Sequence, residues 1–292
     1  MKKISAVFLV FILLSTAGCL EKGPDEPVTG DGNTSSQYDD GDGGITSNLP
    51  YAAEGETEPE AEGPGLLDMY VIKRAAEQYA KSANMVKTEG AGFTLSEWQE
   101  VKNIKTSVAD ALINRVMDVL GPRFITDRDK EFNETAEYIE RGDSGKINNR
   151  IPVRGRDYAC ILEEDFGCID SADYINTGDK IEIVLNFKDA LNVEEDAPGL
   201  GQFMTPFDMN DAYEAVKYVF FIKSDTFIVN VLYRGCYIKC VIDSQTERMI
   251  SMEQHVISYF AVSAGTRFLG LRGDFTANVT VENHGYYYDF VW

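Results

Sequence analysis

The sequence predicts an α+β fold, a curved antiparallel β-meander with N-terminal helices packed on one face. Two observations predict it. Over residues 225–292, runs of alternating apolar and polar residues follow one another with only short turn signals between them, the period of two that a pleated strand imposes. Over residues 66–120, apolar residues recur instead at spacings of three and four, the period of a helix lying on a core. No internal repeat of fixed period is present.

In chain order, the first helix places Leu66, Met69, Tyr70, Ala76 and Tyr79 or Ala80 on one side, between Gly63-Pro64-Gly65 and Glu89-Gly90-Ala91-Gly92. A second helix is predicted over 94–120. Thr94 and Glu97 have the spacing of a capping box and Phe93 and Trp98 that of a hydrophobic staple. Trp98, Val101, Ile104, Val108, Leu112, Val116 and Val119 then form a stripe that Gly121-Pro122 stops. Residues 123–150 are polar and weakly patterned, with at most a short helix over 131–140 and loops at 142–145 and 147–149. Residues 169–175 and 180–187, separated by Asn176-Thr177-Gly178-Asp179, read as a hairpin. An irregular crossing at 189–202 leads to a helix over 209–219 capped by Asp208. The meander follows as strands over 226–233, 236–243, 248–262, 267–282 and 286–292. Breaks are expected at Arg234-Gly235, Ser244-Gln245-Thr246 and Asn283-His284-Gly285.

The chain therefore divides into a leader over 1–18, a segment over 19–65 and one α+β domain over 66–292, helical over about 66–140 and sheet over about 151–292. In the leader, Lys2 and Lys3 precede an apolar run at 4–14 that is too short to span a bilayer as a helix. The small residues Ser15-Thr16-Ala17-Gly18 directly before Cys19 resemble the lipobox of bacterial lipoproteins. In that family the cysteine is diacylated and becomes the first residue of the mature chain. The resemblance implies that Cys19 is lipidated, that the lipid bilayer is a partner, and that the domain sits on the extracytoplasmic face of the cell membrane. Two acyl chains suffice for stable anchoring, since each buried methylene contributes about 0.8 kcal/mol.

Residues 21–65 carry twelve acidic residues against one basic residue, Lys22, with many Gly, Pro, Ser and Thr. Such a segment buries too little apolar surface to offset its ordering entropy and is expected to stay a disordered, self-repelling tether. The run Asp39-Asp40-Gly41-Asp42-Gly43-Gly44 lacks the alternate ligands and terminal glutamate of an EF-hand loop. Removing the twelve acids from 48, and Lys2, Lys3 and Lys22 from 27 basic residues, leaves 36 acidic against 24 basic. The domain is acidic in its own right, with no basic stripe, and no nucleic-acid partner is expected.

Four further cysteines, Cys160, Cys168, Cys236 and Cys240, are candidates for disulfides in an exported chain. Cys236 and Cys240, four apart on one strand, would have Cα atoms about 13 Å apart, too far to bridge. Either two pairs cross or some thiols stay free. Their spacings are not those of a zinc knuckle, His255 and His284 are the chain's two histidines, and no metal site or cofactor is expected.

Tyr233-Arg234-Gly235-Cys236, Val241-Ile242-Asp243, Thr246 and Ile250-Ser251-Met252, followed by long alternating strands and an aromatic last strand, resemble the C-terminal domain of lipoproteins and secreted proteins of uncharacterised role from Gram-positive bacteria. The resemblance covers residues from about 162 onward, and no activity or functional residue comes with it.

Catalytic signatures are missing from the sequence. No Gly-x-Ser-x-Gly elbow, phosphate loop, dinucleotide fingerprint or zinc helix motif occurs, and Glu163-Glu164-Asp165 and Glu194-Glu195-Asp196 read as solvated loops. No catalytic residue is expected. The aromatic residues of the last strands offer a contact surface instead: Tyr259, Phe275, Tyr286, Tyr288, Phe290 and Trp292. The expected function is a non-catalytic binding module for an apolar or glycan ligand or a partner protein. The alternatives are a structural or cell-surface interaction protein without a small-molecule pocket, and then a carboxylate-dependent hydrolase.

Overall fold

A computed structural model describes residues 66–106, 136–161, 166–210, 213, 226–268 and 271–292. It shows an α+β fold in which an antiparallel sheet of nine strands carries an N-terminal helix on one face.

Helix α1 (Leu66–Thr88) turns Ile72, Ala75, Ala76, Tyr79, Ala80, Ala83 and Val86 inward, a stripe at spacings of three and four. The stripe begins one turn later than expected, because Met69 and Tyr70 are exposed. The alanines let the helix lie close to the strands Ile169–Asn176, Lys180–Phe187 and Met249–Phe268, onto which it packs. Its end is a Schellman motif. Ala91 N–H donates to Val86 O at 2.9 Å and Gly90 N–H to Lys87 O at 3.3 Å, with Gly90 at φ +65° and the buried Val86 and Ala91 flanking the turn.

Residues 92–106 form strand β1 (Gly92–Thr106), where a second helix is expected. A capping box is worth about 1 kcal/mol and acts locally. The strand is paired along its length with the last strand, Leu271–Val291, and also buries Phe93 and Leu95. That non-local gain outweighs the local cap. The remainder of the expected helix, from Val108 to Val119, lies outside the described residues. The division into a helical part to 140 and a later sheet is therefore corrected: the sheet starts at Gly92. Strand β2 (Glu137–Ile139) pairs with β1, and helix α2 (Ser144–Arg150) forms where loop is expected, capped by Asp143 Oδ1 accepting from Lys146 N–H at 3.1 Å.

Strands β3 (Ile169–Asn176) and β4 (Lys180–Phe187) form the expected hairpin, with Ile181, Ile183, Leu185 and Phe187 buried. The short β5 (Ala190–Leu191) and a 3₁₀ turn (Gly199–Gln202) follow. The expected helix over 209–219 falls largely outside the described residues. Strands β6 (Ile228–Tyr233) and β7 (Tyr237–Asp243) are separated by Arg234-Gly235, with Gly235 at φ +71°. Asp243 Oδ1 organises the next turn by accepting from Gln245 N–H and Thr246 N–H. Two long strands complete the sheet, β8 (Met249–Phe268) and β9 (Leu271–Val291).

Across the sheet the order is β2-β1-β9-β8-β7-β4-β3; β6 joins β8 beyond β7, and β5 joins β6. Strand β9 continues through Asn283-His284-Gly285, where a turn is expected. The interior between α1 and the sheet is packed, with Tyr79 and Phe203 stacked at 5.8 Å and Ile183, Leu185 and Ile238 almost wholly buried. A nearby concavity lined by Ile161, Phe166, Cys168, Gly199 and Phe203 has room for about one water molecule.

Candidate functional site

Alternation on the two long strands sorts their side chains. Met252, Gln254, Val256 and Ser258 of β8 and Val279, Val281 and Tyr287 of β9 are buried on the α1 side. His255, Glu282 and His284 therefore stand on the opposite face. The strand register then aligns four rings in one row across four strands. Tyr237 of β7 pairs with His255 of β8, His255 with His284 of β9, and His284 with Trp98 of β1.

The rings touch in sequence. Tyr237 meets His255 edge-on at 4.9 Å, His255 stacks on His284 at 4.1 Å, and His284 stacks on Trp98 at 4.7 Å with the planes 7° apart. Glu282 lies two residues before His284 on the same strand face. Its Oε2 is 3.6 Å from His255 Nε2, 3.9 Å from His284 Nε2 and 2.7 Å from the Lys102 ammonium. Lys102 also reaches Glu100 Oε2 at 3.1 Å. At the next level of the face the Tyr237 hydroxyl donates to Glu253 Oε1 at 2.7 Å, and Lys239 sits over the Tyr237 ring.

Three imidazole nitrogens in this row, His255 Nδ1, His255 Nε2 and His284 Nε2, are buried and make no hydrogen bond among the described residues. Each such orphan costs about 1–3 kcal/mol. Burial lowers the pKa of His255 against the opposing pull of Glu282. Burial lowers that of His284 too, followed by the neighbouring His255. The Glu282 carboxyl is held below its ordinary range: burial opposes this, but the Lys102 hydrogen bond and charge outweigh it. The row therefore carries two neutral imidazoles beside a carboxylate. Among the described residues, His255, Glu282 and His284 are the group whose ligand atoms converge, all within 4.8 Å of one another. Two imidazoles and a carboxylate can hold a borderline transition-metal ion.

The sequence-predicted residues are distributed otherwise. Tyr286 and Tyr288 do stack, at 5.2 Å, on the histidine face, and Tyr259 is partly exposed. Phe290 and Trp292 do not join them. Asp289, at φ +52°, adds one residue to β9 where Gly92 pairs with Val291 and Thr94 with Tyr288. This bulge returns Phe290 to the interior side against Phe93 at 5.4 Å, while Trp292 Nε1–H donates to Met249 O at 3.0 Å. The Phe275 side chain lies outside what is described.

Cys160, Cys168, Cys236 and Cys240 are thiols, without a bridge among them. Cys236 Sγ lies against the backbone of Ile257 across the sheet, accepting from its N–H at 3.4 Å. Burial pushes the Cys160 and Cys240 thiols up to about 12 and Cys236 to about 11. Cys19 lies outside the described residues.

Compared with known proteins, the chain matches no family, no curated protein and no solved structure. The site thus rests on its own geometry. Glu282, Lys102, Tyr237 and Trp98 escape sequence reasoning. The alternation of Glu282 with His284 signals a shared strand face, but the Asn-His-Gly turn signal masks it, and the pairing of His255 with His284 depends on a register that the sequence does not state.

Proposed function

We propose that this chain is a lipid-anchored extracytoplasmic binding module, attached through Cys19 and held off the membrane by the acidic segment over 21–65. Its ligand surface is the sheet face opposite α1. The observation that carries this reading is the cross-strand row Tyr237, His255, His284 and Trp98, with buried imidazole nitrogens that no group among the described residues satisfies. Buried polar groups in folded proteins are almost always hydrogen-bonded, so orphans of this kind call for a partner such as a water molecule or an ion. An apolar ligand held between helix and sheet is disfavoured, because that interior is packed and the expected second helix is β1.

Two measurements test the reading. Labelled palmitate should enter the expressed full chain and be lost in Cys19→Ala, which should leave the membrane fraction. Hydrogen exchange should then be slower at residues 237–239, 253–257 and 282–286 in isolated membranes than in the extensively washed, purified chain. Equal exchange in both preparations would point to a structural role with nothing held on this face.

A further inference from the structure

We propose that His255, Glu282 and His284 bind one divalent transition-metal ion of the zinc type. This names the ligand of the sheet face described above and rests on that reading. The separations of 3.6 Å and 3.9 Å from Glu282 Oε2 to the two Nε2 atoms are close to the edge of a ligand tetrahedron. Metal–ligand bonds of about 2.0–2.2 Å place tetrahedral ligands roughly 3.3–3.5 Å apart. Binding requires the two imidazoles, stacked at 4.1 Å with planes 20° apart, to turn about their side-chain torsions until both Nε2 lone pairs meet at one point with Glu282 Oε2.

The scaffold is rigid where the ligands sit. Strands β8 and β9 are interior strands of the sheet, flanked by β7 and β1, so neither histidine stands on an edge. Trp98 on one side and Tyr237 on the other flank the two imidazoles. The chain has two histidines, and both stand here, directly opposite each other. Packing alone explains the stacked rings. It does not explain why, among the described residues, Nε2 of each ring is left without a hydrogen bond while a carboxylate oxygen stands 3.6 Å and 3.9 Å away.

The donor set selects the ion. Two imidazole nitrogens and one carboxylate oxygen suit zinc, copper, nickel or iron(II). Calcium takes six to eight oxygens, and magnesium an octahedron of them. With three protein ligands, the remaining position is left to water or to an exogenous donor. Lys102 competes with the ion for Glu282. It is about half exposed and already bridges to Glu100, so it can stay on that carboxylate when Glu282 turns to the metal.

The full chain, stripped with a chelator and titrated with Co²⁺, should bind one strong equivalent with visible d–d absorption that Zn²⁺ abolishes. In Trp292→Phe, which leaves Trp98 as the chain's remaining tryptophan, Cu²⁺ should quench the indole emission. Glu282→Gln, His255→Gln and His284→Gln should each weaken binding at least about tenfold, and Lys102→Met should strengthen it severalfold. Far-UV circular dichroism identifies any variant that fails to fold; Glu282→Gln is the mildest and keeps the test decisive. Unchanged affinity in all three ligand variants would assign the metal to the acidic segment and overturn the site, as would the lack of any equivalent bound below millimolar Co²⁺. Slowed exchange in membranes without metal binding would sink the metal and keep the ligand face. Metal binding without slowed exchange would keep the metal and remove the case for anything further being held on this face in membranes.

Discussion

The ring of Tyr287 lies over Gly285, so that a Cβ placed on Gly285 would stand 3.2 Å from Tyr287 Cε2. The bare backbone of Gly285 admits the ring, and the ring covers a glycine that would otherwise weaken the strand. This contact lets β9 run straight past His284. Gly285→Ala is expected to overpack this spot and destabilise the fold by about 1–3 kcal/mol. In urea unfolding the midpoint should fall with little change in slope.

A buried lysine closes the loop beyond α2. The Lys87 ammonium donates to Val153 O at 2.5 Å, Arg156 O at 3.0 Å and Tyr158 O at 2.9 Å. Lys87→Met keeps the volume and removes all three donors. The expected cost is about 2–4 kcal/mol, because carbonyls turned toward the helix lose their partners. Hydrogen exchange should quicken at 153–160 while β8 and β9 stay protected, since the lost bonds all lie on that loop.

The buried thiols give a pH dependence with a definite sign. Cys160 and Cys240 are raised from 9.0 to about 12 and Cys236 to about 11. Between pH 9 and about 12 the folded chain binds more protons than the unfolded one, so the stability present below pH 9 is lost as pH rises through that window. Burial of Tyr79, Tyr233 and Tyr287 raises their hydroxyls as well and acts in the same direction, while burial lowers Lys87 from 10.5 to about 8 and partly offsets the loss between those values. Urea titrations at pH 8 and pH 10.5 should differ by on the order of a few kcal/mol.

Under native conditions at pH 8 the same burial should leave Cys160, Cys236 and Cys240 unreactive toward iodoacetamide, while the half-buried Cys168 is alkylated first. Peptide mapping after timed quenching reads the order. Simultaneous labelling of all four would mean that the domain opens globally on that timescale. Fewer than four thiols after denaturation without reductant would reveal a bridge in the exported chain.

What was legible in the sequence follows from the range of the interactions that decide it. The β3–β4 hairpin is readable because its determinants sit within twenty residues: alternating Ile181, Ile183, Leu185 and Phe187, and a turn in which Gly178 N–H donates to Asn176 Oδ1. Thr94 and Glu97 misled because a capping box is visible locally, whereas the strand that recruits β1 lies nearly two hundred residues away. The histidine row fails for the same reason. Four strands meet there, and no pairwise pattern within one of them announces the other three.

The bulge at Asp289 offers the sharpest test of register. Deleting Asp289 removes the extra residue, and strict alternation then keeps Phe290 and Trp292 on the face of Tyr287, opposite Tyr286 and Tyr288. The contacts of Phe290 with Phe93 and of Trp292 with Met249 O therefore survive. The deletion is expected to change stability by no more than about 1 kcal/mol, because it removes a residue held at positive φ and restores a regular ladder. Asp289→Gly keeps the extra residue and relieves its positive φ, so it should leave stability unchanged or raise it by up to about 1 kcal/mol. Thermal melts of both variants read the effect. A loss of about 3–5 kcal/mol on deletion, the scale of losing a buried aromatic side chain, would mean that Phe290 and Trp292 had left the interior and that the last strand does not hold this register.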